Sequence, residues 1–298
     1  MRDIHQIQAK NEVTIVGKLI SVTPRSGKTS AGVPYESVNM LVRVDQNIEG
    51  KQQVNEIPIS IFASQYTGTG KQNPLFDNVQ RVKEMKTVQN VGLDAADTIR
   101  LTKGSVQENY YIAKNGQFYD GWQLRGAFAA NGGENPTQIA SFNVEIVIMD
   151  MLDEVTRDGD TTGRLIVKGG IVQYNGKLDV VEFIVEAPDK VDYLQRNWEI
   201  NNTVRVSGRI RVVSEETQAP TKTSSWGEVL PEETTRIKRE LIITGGADEP
   251  FEDEFAYDPM DIKKAFAERK ALIEQKQIEA KQTANKPAAD PKKKYDWE

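Results

Sequence analysis

The sequence predicts a mainly β protein: two OB-folds, each a five-stranded Greek-key barrel, in tandem, followed by an acidic segment and a helical tail. Two observations predict it. One strand plan is written twice, and the composition changes sharply after Gly245-Gly246. Three strands, a helix and two further strands is the order of the OB-fold. The expected domains are residues 1–130, 137–246 and 247–298, with Asn131-Gly-Gly-Glu-Asn-Pro136 between the barrels.

The first copy opens at residues 11–22, where Val13, Ile15, Gly17 and Leu19 alternate with Thr14, Val16, Lys18 and Ile20. Residues 24–34 are rich in turn formers and read as a flexible connection. In the second strand Val38, Met40, Val42 and Val44 share one face, which should fill the barrel. Tyr35, Ser37, Asn39, Leu41 and Arg43 then look outward. The third strand points Ile57, Ile59 and Ile61 inward and Pro58, Ser60 and Phe62 outward. A helical stretch near residues 74–90 carries Leu75, Val79 and Val82 at helical spacing. Strands four and five follow from Asp97. Residues 108–128 hold Tyr110, Tyr111, Phe118, Tyr119, Trp122 and Phe128, with Asn115-Gly116 as a hairpin turn.

The second copy repeats the plan at residues 142–148, 163–170 and 179–186, with turns at Asp158-Gly159 and Asn175-Gly176. Residues 188–198 read as a short helix ended by Asn201-Asn202. In the next strand Val204, Val206, Gly208, Ile210 and Val212 oppose Arg205, Ser207, Arg209 and Arg211. A polar connection over 214–235 carries Lys222 and Trp226, and residues 236–244 close the barrel. Residues 247–262 contain seven acids and no Lys or Arg, with Phe251, Phe255 and Tyr257 among them. A polar helix follows to about residue 283, then a linker tipped by Tyr295 and Trp297.

A chain of 298 residues with 38% apolar content has room for two ordinary domains and a tail. No apolar run reaches the ~18 residues that span a bilayer. Met1-Arg-Asp-Ile-His-Gln6 lacks the apolar stretch of a secretory signal. A soluble, cytoplasmic protein with no membrane partner is expected. There is no cysteine and one histidine, His5. Disulfides, zinc sites, thiol nucleophiles and histidine triads are thereby excluded, and no enzyme, cofactor or metal is expected. Gly27-Lys-Thr29 lacks the upstream glycine of a phosphate loop. Asp153-Glu154 and Asp158/Asp160 read as a solvated turn, although a carboxylate-only nuclease stays open. The net charge of −6 divides unevenly. Residues 1–128 carry 15 Lys and Arg against 12 Asp and Glu, residues 129–246 carry 13 against 19, and residues 247–298 carry 10 against 13. The first barrel is the natural home of phosphate contacts.

Asn11-Glu-Val-Thr-Ile-Val-Gly-Lys-Leu19 resembles the first strand of bacterial single-stranded DNA-binding proteins. Ile59-Ser-Ile-Phe-Ala63 resembles their third strand, with Phe62 as the aromatic of the DNA face. Val191-Asp-Tyr-Leu194 and Asn202-Thr-Val-Arg-Val-Ser-Gly-Arg-Ile210 resemble their helix and fourth strand. That family typically has one barrel per chain and assembles as tetramers. The tandem plan with an acidic, helical tail is closer in look to a bacteriophage replication protein. The resemblance implies sequence-independent binding of single-stranded DNA, with RNA as the alternative strand, in replication, recombination or repair, within the host cytoplasm if phage-encoded.

Such binding needs rings for bases and cations for phosphates. The candidates in the first barrel are Lys18, Arg25, Lys28, Tyr35, Arg43, Phe62, Arg100, Lys103, Tyr110, Tyr111, Tyr119 and Trp122. Those in the second are Lys168, Arg209, Arg211, Lys222 and Trp226, with Arg164, Tyr174 and Arg205 also considered. The hairpin aromatics read equally as packing against the second domain. Phe251, Phe255, Tyr257, Tyr295 and Trp297 are the candidates for contacts with replication or recombination proteins. The acidic segment reads as a competitor for the DNA site, a dock for a basic partner, or a solvated linker. The alternative function is a virion component or accessory factor using its barrels for protein contacts.

Overall fold

Alternating apolar residues build one large sheet around a continuous core in the computed structural model, which describes residues 1–113, 115–156, 158–218 and 233–284. β1 (Asn11–Lys28), β2 (Pro34–Ile48) and β3 (Lys51–Ser64) form an antiparallel meander. Val38, Met40, Val42, Val44, Ile57, Ile59 and Ile61 are buried, so the inward faces are those the alternation indicates. The β1–β2 ladder runs on to Lys28↔Pro34, through what reads in sequence as a flexible connection. The reason lies in packing: the Tyr35 ring lies over Gly27, where a Cβ would come within 2.8 Å of its hydroxyl.

The helical stretch is split. α1 (Pro74–Lys83) is N-capped by Asn73 and buries Val79 and Val82. Its buried Asn78 donates to the Ala129 carbonyl at 2.7 Å and accepts from the Ala129 N–H at 3.0 Å, pinning the helix to a strand end. The chain then turns back, because Asp97 binds the Lys86 backbone through both its carboxylate and its N–H. Only a short turn, α2 (Val88–Val91), follows. β4 (Thr98–Glu108) leads into a small hairpin, β5 (Tyr111–Ile112) and β6 (Phe118–Tyr119), and β7 (Trp122–Asn131) returns beside β4 and parallel to β3. β4 also pairs with β1, so hydrogen bonding closes a circuit β1–β2–β3–β7–β4–β1.

β8 (Ile139–Val155), β9 (Thr161–Val172) and β10 (Leu178–Val185) form a second meander. After α3 (Pro188–Asn197), β11 (Thr203–Gln218) and β12 (Glu233–Gly246) complete a second circuit, β8–β9–β10–β12–β11–β8. The circuits join edge to edge: residues 11–16 of β1 pair with residues 139–144 of β8. Lys18 faces Arg43 and Thr98, as Val147 faces Gly170 and Thr203. Counting back equally from each reaches Val13 and Phe142, which lie opposite one another. An approximate two-fold axis therefore passes through that pair, and both residues are buried.

Polar bonds fasten the same junction. Asn55, fully buried on β3, accepts from the Val212 N–H of β11 at 3.0 Å and from Gln53 at 2.9 Å. Glu145 on β8 accepts from Arg2 at 2.8 Å, Arg205 at 2.6 Å and the Lys10 N–H at 3.1 Å. Residues beyond Gly246 fold back onto this frame. The Phe251 N–H bonds the Thr203 carbonyl at 2.7 Å, and the hydroxyl of the buried Tyr257 donates to the Ile7 carbonyl at 3.2 Å. α4 (Pro259–Ala284) then buries Ile262 and Ala265.

Asn55→Ala should leave the buried Val212 N–H without an acceptor, at a cost of about 1–3 kcal/mol. Urea unfolding should show that loss in a single transition for both circuits; an unchanged midpoint would count against this bond as a fastening of the junction.

Candidate nucleic-acid interface

The β2–β3 register sets Ser37 opposite Phe62 and Tyr35 opposite Ser64, which brings Tyr35 and Phe62 together as diagonal neighbours on the outer face of the first circuit. Their rings lie 5.0 Å apart at 37°, and Phe62 is 45% exposed. Arg25 and Lys28 stand on the adjoining end of β1, exposed, with no ion pair among the described residues. Arg125, which the sequence reading missed, lies on β7 opposite Ser60 of β3, and its buried Nε has no hydrogen-bond partner. The signal was the alternation around buried Leu124, hidden by the aromatic run.

Other first-circuit candidates are engaged or lie elsewhere. The Lys18 ammonium donates to the Ala96 carbonyl at 2.8 Å, and Arg43 pairs with Asp45 at 2.9 Å. Arg100 and Lys103 are exposed on β4, with β1 between them and β2. Lys103 sits at φ +56° where the β1–β4 register slips.

The aromatic hairpin has two faces. Tyr110 and Phe118 pack together at 5.5 Å and meet α4, whose Lys276 ammonium lies 5.0 Å from the Tyr110 ring centre and donates to its hydroxyl at 2.7 Å. Gln277 donates to the Gly116 carbonyl, and Arg269 grips Glu108 through two nitrogens. Trp122 is half-buried against the core. On the other face Tyr111 and Tyr119 stack at 6.2 Å and 28°, 63% and 49% exposed. They form one wall of a groove of about 640 Å³, with Ile184, Ile237, Lys238 and Glu240 of the second circuit opposite.

The outer face of the second circuit is knitted together by ion pairs. Arg209 binds Glu186 at 2.6 Å, Arg211 binds Glu186 and Glu240 at 2.7 Å, and Arg164 binds Glu240 at 2.5 Å and Glu154 at 3.2 Å. Lys168 approaches Glu182 at 3.8 Å. Burial pushes the Glu240 carboxyl up, but hydrogen bonds from Arg164 and Arg211 outweigh it, and the group titrates below the ordinary carboxylate range. Glu145 behaves alike: burial opposes ionisation, and bonds from Arg205, the Lys10 backbone and Arg2 prevail. Tyr174 is exposed in the turn before β10.

Among the tail candidates, Tyr257 is buried and belongs to the core, so its ring is not on offer to a partner. The short acidic segment around it has no periodicity that would have revealed this. Phe251 is flanked by the guanidinium groups of Arg2 and Arg205, at 5.6 and 5.4 Å from its ring centre. Phe255 is exposed. Lys222, Trp226, Tyr295 and Trp297 lie outside the described residues. Among the described residues no cluster of three or more acidic or histidine side chains is placed to hold a metal, and no helix is long and apolar enough to cross a membrane.

The architecture is shared with a solved protein of a known class. The wild-type single-stranded DNA binding protein from Thermus aquaticus is 10% identical and matches 85% of this chain and 99% of its own, with a TM-score of 0.51. A deletion mutant of that protein matches at 13% identity, 85% and 98% coverage and a TM-score of 0.48. A replication protein A heterotrimer bound to single-stranded DNA matches at 10% identity, 93% and 71% coverage and a TM-score of 0.22. No curated protein matches the sequence. The YorF family model matches residues 10–279, and the chain belongs to the YorF family.

The lowered carboxylates give a pH dependence with a definite sign. Ionised Glu145 and Glu240 add stability above the ordinary carboxylate range, and that stability is lost as pH falls through their lowered values. The thermal midpoint should hold from neutral pH to the top of that range and then decline. Glu240→Gln should start lower at neutral pH and decline less steeply; equal acid slopes in the two proteins would contradict the assignment.

Proposed function

We propose that this chain binds single-stranded DNA without base choice, its two strand circuits acting as two OB-type barrels and the first carrying the principal site. The observation that carries this reading is the outward Tyr35–Phe62 pair, flanked by Arg25 and Lys28. Exposed rings offer a face on which any base can stack, worth roughly 1–3 kcal/mol per base. Cations without carboxylate partners release no ion pair when they meet a phosphate, so the gain from counterion release is kept. Arg125 extends the cationic surface onto β7. The second circuit, where Arg164, Arg209 and Arg211 are already paired, acts as an auxiliary barrel. The setting this design suits is replication or recombination of a bacteriophage genome, with Phe255 and the end of the tail recruiting other proteins of that machinery.

Phe62→Ala and Tyr35→Ala should each weaken oligo(dT) binding by about 1–3 kcal/mol. The double variant should lose less than the sum, because the rings touch. Replacing Arg25 or Lys28 by Ala should lower the slope of log affinity against log salt by about 0.7 each, the share of one phosphate on a single strand. Fluorescence anisotropy across a salt series reads both. Failure to bind any single strand at low salt would sink the reading.

A further inference from the structure

We infer that the groove between the aromatic hairpin and the second circuit is a second single-strand segment, entered when phosphate displaces Glu186 from the arginines of β11. The inference rests on the single-strand reading above and extends it to a site with its own control.

The groove brings together the two chemistries a single strand requires. One wall is the stacked, exposed Tyr111–Tyr119 pair. The other carries Lys238 and Arg239 with Ile166 and Ile184, and Asp120, Glu154, Glu182 and Glu240 also line the groove and outnumber those two cations. Beyond the groove, on the same outer face of the second circuit, stand Arg164, Arg209 and Arg211. With Lys238 they make four cations against three carboxylates, Glu154, Glu186 and Glu240. The carboxylates occupy guanidinium edges of the kind that bind phosphate in the same forked geometry. Two donors of the network are buried without a hydrogen-bond partner among the described residues, the Nε of Arg209 and the Nε of Arg164, which lies 3.7 Å from Glu186.

The two carboxylates that hold Arg211 differ in their freedom. The Glu240 side chain is 7% exposed and is gripped by Arg164 and Arg211. It orients the arginines and stays. The Glu186 side chain is 26% exposed, bonds an Nη atom each of Arg209 and Arg211, and meets Arg164 only at 3.7 Å. It can swing into water as a phosphate takes its place, so one anion replaces another and no buried charge is stranded. Exchange of this kind is close to neutral for a free short strand. It becomes favourable for a strand already anchored on the first circuit, where the second contact is intramolecular. The groove is therefore a site for long strands, closed to short ones.

The test uses the full chain with oligo(dT) of about 8 and about 30 nucleotides, lengths that bracket the site of one barrel. Glu186→Gln keeps the size of the side chain, loses one of its two acceptors and removes the competing charge. It should tighten the long oligonucleotide about 3- to 10-fold and steepen its salt slope by about 0.7, one added phosphate contact, with the short one unchanged. Tyr119→Ala, on the opposite wall and half exposed, should weaken the long oligonucleotide about 5-fold or more and spare the short one. It decides the matter should Glu186→Gln prove unfolded by thermal melting. A folded Glu186→Gln that binds both lengths as the parent does, or a Tyr119→Ala that affects both lengths equally or neither, overturns the groove while leaving the first-circuit site standing. Absence of binding at either length by the unaltered chain overturns the single-strand reading and the groove with it.

Discussion

The structure depends on one ladder of backbone hydrogen bonds, between the first halves of β1 and β8. Each circuit opens with a strand whose first half pairs with its own circuit along one edge only. The other edges pair with each other, which satisfies backbone groups that would otherwise lie bare. Further contacts join the circuits beside that ladder. Glu145 lies one residue beyond the paired stretch of β8, Asn55 reaches β11, and the core passes beneath without a break. Because the pairing is antiparallel and centred on Val13 and Phe142, the circuits are fixed in a two-fold arrangement rather than strung along a linker.

That arrangement explains why equivalent surfaces carry unequal chemistry. The first circuit spends its apolar residues inward and leaves Tyr35, Phe62, Arg25 and Lys28 outward with little intramolecular work. At the corresponding strands of the second circuit, β9 and β10 bear no outward aromatic, and Arg209 and Arg211 of β11 are answered by Glu186, just after β10, and Glu240 of β12. A surface pair is worth little, but several half-buried pairs sharing carboxylates form a network whose members hold one another in place. Rigidity there and availability in the first circuit are two uses of the same strand plan.

Much of the fold was legible because alternation has a period of two and a buried face. Val38 to Val44 and Ile57 to Ile61 reveal both a strand and its inside, and Phe62 outside follows from the same count. What alternation cannot give is who lies next door. Arg209 and Arg211 were correctly placed on a polar face, yet nothing in their neighbourhood of sequence announced Glu186 or Glu240, which arrive from other strands. The same blindness hid the β1–β8 seam and the fate of Tyr257, a single aromatic among acids that fills a hole built by Ile7, Arg2 and Thr203. The hairpin was legible as aromatic but not as two-faced, since only the return of α4 separates Tyr110 from Tyr111.

The seam also orders events during synthesis. The ribosome releases residues 11–16 more than a hundred residues before residues 139–144, so the leading half of β1 emerges with an open edge and waits for that partner. Arg2 waits longer still, for Glu145 and then Tyr257. The nascent chain thus passes through a stage in which that segment has one edge unpaired, and the same segment of a second nascent copy is a ready substitute. A protein that joins its two halves edge to edge has, during its own translation, a built-in route to exchanging those halves between chains.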